Sequence, residues 1–174
     1  MDRILHVDSI EGNLLDTIVH EATHQIAFNS GLHSRIGETP KWVIEGLATV
    51  FEAPGIRDSS TSRKSKTRLN RERFVRFGNF AKDRRKRDSL SQFVSSDESF
   101  KKNILDAYSE AWALSFWLIE TRPRKYEAYL KSIITRDPLE RYSAEQRLDD
   151  FQKAFGSDLK QREAEFLRYI QKWN

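Results

Sequence analysis

The chain has 174 residues, 38% of them hydrophobic, enough for one domain that buries about two-thirds of its unfolded surface. The absence of Cys excludes a disulfide framework, a thiolate zinc site, an iron–sulfur cluster and a thiol nucleophile. The longest apolar run, Ala111 to Ile119, has Ser115 inside it and falls well short of the about 20 residues of a membrane span. The net charge of +4 is unevenly spread. Between Arg57 and Arg87 there are 13 Lys/Arg against 3 acids, a net of +10, while the remainder carries a net of −6.

Residues 3–8 (RILHVD) alternate weakly and are expected to form a short strand. Asn13 then opens a helix, with Asp16 three residues on in a capping-box-like place and Leu15, Ile18, Val19, Ala22 and Ile26 at helical spacing. Asn29-Ser30-Gly31 ends it, because Asn and Gly readily take the left-handed conformation at a helix C-terminus. Residues 32–38 read as a loop. Thr39-Pro40 restarts a helix, with Thr39 as N-cap and Pro40 at the first helical position. Trp42, Val43, Leu47, Val50 and Phe51 give this helix an apolar face, and Pro54-Gly55 stops it.

Residues 56–72 are rich in Ser, Thr, Lys and Arg and are expected to be an exposed loop; Phe74, Phe77 and Phe80 mark renewed packing. From about Ser99 the pattern is helical. A strongly apolar helix covers roughly 103–120, Pro123 follows it, Ala154-Phe155-Gly156 separates the last two helices, and Ser157 caps the final one. The expected architecture is therefore mainly α, with little β beyond one short N-terminal strand. It is a single domain over residues 1–174, with a basic insert at about 56–88 and a helical C-terminal part at about 99–174.

The chemistry is concentrated in His20-Glu21-Ala22-Thr23-His24, an H-E-x-x-H motif inside a predicted helix. Residues i and i+4 share a helix face, so both imidazoles can point at one ion. Glu21 lies about 100° round from His20 at about 3.6 residues per turn, placed to take a proton from water beside the metal without ligating it. A catalytic zinc site needs a third protein ligand and one open position. Glu45 offers that ligand, 21 residues after His24, on a helix the intervening turn would fold back antiparallel. Gly46 beside it permits close helix approach.

H-E-x-x-H followed, about twenty residues on, by Trp42-Val43-Ile44-Glu45-Gly46-Leu47-Ala48 resembles the signature of the gluzincin metallopeptidases, which include the thermolysin and aminopeptidase-N-like enzymes. The resemblance covers residues 16–53 and implies a zincin-like helical domain with one zinc ion per chain, held by His20, His24 and Glu45, and Glu21 as general base. Tyr108-Ser109-Glu110-Ala111-Trp112-Ala113-Leu114-Ser115-Phe116-Trp117-Leu118 is similar to the Y-E-K-G-F-A-L-x-F-x-L helix of aminopeptidase-N-like enzymes, which carries the oxyanion-stabilising role to Tyr108. The tail, with Phe151 and Ala154-Phe155-Gly156, resembles the close of small gluzincin-like domains and is expected to contribute packing. Three features depart from the family. Few residues precede the metal helix, no G-x-M-x-N exopeptidase motif occurs, and Thr49 stands where thermolysin-like enzymes have an Asp that orients a histidine.

Other residues have smaller claims. His33 is expected to be a solvated loop residue or to line the cleft, and His6 to be structural. Glu52, seven residues after Glu45 on the same face, is expected to bond a ligand histidine or to form a surface salt bridge. Glu110 is expected to face solvent or to pair with a basic neighbour.

The expected function is zinc-dependent hydrolysis of peptide bonds in a peptide or protein substrate. The alternative is a non-catalytic, zinc-stabilised domain whose basic insert, with its interleaved phenylalanines, binds an anionic partner; nucleic acid is a third reading. The first residues lack the apolar core of a signal peptide, so the compartment stays open: cytoplasm is expected for the chain as it stands, and an extracytoplasmic place if it is cut from a longer precursor.

Overall fold

The computed structural model describes the backbone of residues 2–57 and 65–173, and the side chains of residues 14–56 and 67–173. Among the described residues there are ten α-helices and no strand, so the fold is mainly α as the sequence implies. They are α1 (Asp2–Asn29), α2 (Lys41–Phe51), α3 (Pro54–Arg57), α4 (Arg71–Asp83), α5 (Leu90–Ser95), α6 (Glu98–Lys102), α7 (Ile104–Thr121), α8 (Pro123–Ile134), α9 (Ala144–Phe155) and α10 (Leu159–Gln171), with a short 3-10 turn at Ser65–Arg68. No described helix is long and apolar enough to cross a membrane.

The helix α7 is the axis of the molecule. Every residue from Asp106 to Leu118 except Tyr108 is buried, which matches a sequence apolar on all sides. Around it pack α2, α4, α6, α8 and α10. Trp42 of α2 stacks on Tyr129 of α8 with ring centroids 5.8 Å apart, and Phe151 of α9 meets both edge-on. The approach of α2 to α7 depends on Gly46. A Cβ there would lie 2.2 Å from Ser115 Oγ and 2.7 Å from the Ala111 carbonyl oxygen, so no larger residue fits without moving a helix.

Three boundaries differ from expectation. Residues 3–8 belong to α1 and not to a strand: a lone strand leaves its backbone donors and acceptors unpaired, whereas a helix satisfies them locally. Asn13 therefore opens nothing, since α1 is already running there. Pro40, not Thr39, is the N-cap of α2; it offers no side-chain bond, and Asp97 Oδ1 accepts from the Lys41 N–H at 3.0 Å in its place. The last helix is capped by Asp158 and not Ser157. Gly31 ends the α1 turn at φ 75° and Gly156 separates α9 from α10 at φ 108°, as glycines at such points are expected to do.

The basic insert turns much of its charge inward. Arg85 lies between Glu110 of α7 and Glu163 of α10, with all three side chains nearly fully buried. Burial pushes the Glu110 carboxyl up, opposed by the Arg85 guanidinium. Glu110 is thus paired with a basic neighbour, and the side that faces solvent in the expectation is interior. Arg76 and Arg84 both reach Asp106, and Arg68 binds Glu120. Phe77 is fully buried in α4, with Phe74 and Phe80 packed against the core. Residues 58–64 of the expected loop, and the side chain of His6, lie outside the described residues.

The helix α1 packs mainly on α2, and of its residues 14–29 only Ala27 is buried. Leu14, Leu15, Ile18 and Ile26 are all at least half exposed on it. What α1 turns toward α2 is the histidine pair.

Candidate metal centre

His20 and His24 sit one turn apart on α1, and α2 brings Glu45 up to them. His20 Nε2 and His24 Nε2 are 3.0 Å apart, and Glu45 Oε2 lies 3.3 Å from the first and 3.5 Å from the second. Ligands about 2.0–2.1 Å from a tetrahedral zinc stand about 3.3–3.4 Å apart, so the three edges fit one ion held by these atoms. The donor set itself is unsettled without a cation. Two imidazole nitrogens face each other, and Glu45 Oε2 is buried with no hydrogen-bond partner. Among the described residues this is the one group of three or more such side chains whose ligand atoms converge.

The charges agree. Burial alone would lower His20, but the Glu45 and Glu52 carboxylates beside it outweigh that and raise it to about 9. Burial would raise Glu45; His20, His24 and Tyr108 reverse the effect and hold it low. The same carboxylates would favour a divalent cation, which must displace the His20 proton to bind.

Glu52 is the group that orients His20. Its Oε1 accepts from His20 Nδ1 at 2.8 Å, fixing the tautomer in which Nε2 presents a lone pair to the metal position. Of the two roles expected for Glu52, the bond to a ligand histidine is the one found, in a buried and not a surface setting. Thr49 does not share this task. Its hydroxyl donates to the Glu45 and Gly46 carbonyls of its own helix.

Glu21 is exposed on α1, and its charge reaches Tyr108. Tyr108, the one residue of α7 between Asp106 and Leu118 that is not buried, stacks against His20 with ring centroids 6.1 Å apart. Burial, then the Glu45 carboxylate, raises its phenol to about 12, so it remains a proton-bearing donor at neutral pH. A cavity of about 360 Å³ opens here, lined by Asp16, Thr17, His20, Glu52, Asn70, Glu72, Arg73 and Tyr108. The elements thus bring together His20, His24, Glu45 and Tyr108, while Glu21 is the exposed neighbour of His20 on α1, linked to Tyr108 by its charge alone.

His33 differs from expectation. It is 2% exposed, its Nδ1 bonds the Leu32 carbonyl at 3.0 Å, and its ring meets Phe28 edge-on. Burial lowers it, so it is a neutral packing residue of the α1–α2 turn.

Two residues of the site went unnoticed in the sequence, Asn70 and Arg73. Asn70 caps α4, a role readable from an Asn just before an amphipathic run, but its bond to Glu52 depends on where α4 docks. Arg73 places its guanidinium carbon 5.7 Å from the Tyr108 ring centre and its Nε 3.7 Å from Glu52 Oε2. Nothing in the local sequence distinguishes it from the other arginines of the insert.

No curated protein and no solved structure matches the chain. One family does, described as "Protein of unknown function (DUF1570)", over residues 14–140, a stretch that contains every residue of the metal centre and its cavity and ends beyond α8. The chain belongs to the DUF1570 family.

Proposed function

We propose that this protein is a zinc-dependent peptidase of gluzincin type. The observation that carries the reading is the His20–His24–Glu45 triangle, with edges of 3.0 to 3.5 Å and the Tyr108 ring stacked against His20. Zinc held there would supply Lewis-acid polarisation of a carbonyl and lower the pKa of a water toward about 7. Glu21, exposed at the rim, takes the proton of the attacking water and returns it to the leaving amine. Tyr108 donates a hydrogen bond to the oxyanion of the tetrahedral adduct, which its raised pKa allows. Glu52 keeps the His20 proton on Nδ1 throughout. The cavity beside His20 receives the chain on one side of the scissile bond, and its polar lining suits a polar side chain there.

Glu21→Gln separates this reading from a purely structural zinc site. Zinc-loaded protein is incubated with a mixed peptide library and the products are read by mass. The variant is expected to keep its zinc and lose at least about 10²-fold in cleavage rate. Wild-type protein that holds zinc and cleaves nothing, or a variant as active as wild type, contradicts the proposal.

A further inference from the structure

Asn70 stands where the metal centre meets the basic insert, and its side chain bonds in two directions. Oδ1 accepts from the Arg73 backbone N–H at 3.2 Å and caps α4. Nδ2 donates to Glu52 Oε2 at 2.5 Å and to the Thr49 carbonyl at 3.1 Å. The other oxygen of Glu52 accepts from His20 Nδ1. A continuous chain of bonds therefore runs from the first turn of α4, through Glu52, to a metal-ligating imidazole.

Capping does not explain why this residue is an amide. A cap needs only an acceptor, and Asp or Ser serves as well as Asn. The two bonds made by Nδ2 are the ones an Asp would forfeit outright, and a Ser, with one O–H on a shorter side chain, could replace at most one of them. Its orientation is fixed too, since turning the amide over would set an oxygen against the Glu52 carboxylate and the Thr49 carbonyl. Without that donor, Glu52 Oε2 would be left buried with only Arg73 Nε nearby, at 3.7 Å, beyond hydrogen-bond reach. A carboxylate held at one oxygen can rotate; one held at both cannot.

We infer that Asn70 is a positioning residue of the metal centre, which locks Glu52 and through it His20, so that the affinity of the site for zinc depends on the docking of α4. This gives the insert a role in the site itself: its first helical turn belongs to the shell around the metal ligands. The inference rests on the reading of His20, His24 and Glu45 as a zinc site.

The test compares wild type, Asn70→Asp and Asn70→Ser, whole chain throughout, by zinc affinity in a chelator competition and by the visible spectrum of the cobalt-substituted protein. Both variants keep a cap acceptor for α4; Asp loses both Nδ2 bonds, and Ser has one O–H on a shorter side chain in place of two N–H donors. They are expected to retain helical circular dichroism and a cooperative melt. Their zinc Kd is expected to rise about 10–100-fold, with an altered cobalt spectrum. Combined with Glu52→Ala, either substitution is expected to cost little more than Glu52→Ala alone, because both act on one relay. Zinc affinity within twofold of wild type in both variants overturns the inference, and so do fully additive losses in the double variants. Wild-type protein that takes up neither zinc nor cobalt is a different result: it removes the metal centre itself, and the role of Asn70 with it.

Discussion

A ligating imidazole has two nitrogens, and the one away from the metal decides whether the other is free to bind. If His20 holds a metal, as proposed, that decision belongs to Glu52, at 2.8 Å from Nδ1. The carboxylates around His20 also have a consequence in metal-free protein. Because they raise His20 from its ordinary 6.5 to about 9, the stability it contributes is fully present below pH 6.5 and is lost as pH rises through 9. His33, lowered by burial, works in the other direction and only below pH 6.5. Chelated protein is therefore expected to melt at falling temperature from pH 6.5 to 9, and zinc-loaded protein, whose His20 has no such proton to lose, to escape that fall. A chelated protein whose melting temperature stays level or rises across this window would contradict the assignment. His20, Glu21 and His24 were legible as a group because their spacing is a property of one helix; Glu45 and Tyr108, on α2 and α7, were singled out by the resemblance of their segments to a known family. Glu52 was legible only as one of two options, because its partner is 32 residues away and the choice is made by packing. His33 was misjudged for the same reason: a polar residue in a predicted loop gave no sign that Phe28 and Leu32 enclose it.

At the scale of elements, the centre is made by how closely α2 lies between α1 and α7. Gly46 permits that approach on the side away from the metal. Gly46→Ala puts a methyl group into Ser115 and the Ala111 carbonyl, an overpacking expected to cost about 1–3 kcal/mol and to weaken zinc binding through displacement of Glu45. Urea denaturation of the chelated protein reads the first effect, and an unchanged midpoint would contradict the close approach. On the proposed reading, a metal held there would also join α1 to the rest. The ligands His20 and His24 belong to α1, whose packing is mainly on α2. Removing zinc is expected to speed hydrogen exchange across 14–29 while leaving 106–118 of α7 protected; equal change in both would mean that the metal does not secure α1. The helices with apolar periodicity, α2 and α7 above all, follow directly from the sequence. The N-terminal segment did not, because six residues of weak alternation carry too little pattern to outweigh local backbone pairing in α1.

Over the whole molecule, the charge asymmetry has a structural meaning that composition does not convey. The insert is strongly basic, yet Arg68, Arg73, Arg76, Arg84 and Arg85 are directed at acids on α2, α7 and α10. These ion pairs tie the basic insert to the acidic body and hold α4 against both the core and Glu52. Membership of DUF1570 spans this arrangement from α1 through α8, so helices α9 and α10 lie outside the matched stretch even though Phe151 and Phe166 complete the core. All of it turns on whether His20, His24 and Glu45 hold zinc. The most direct measurement is metal content by elemental analysis of untagged wild-type protein beside His24→Ala. The account predicts about one zinc per chain in the wild type and none in the variant. No zinc in the wild type after zinc is added back, or the same zinc in both proteins, would contradict it.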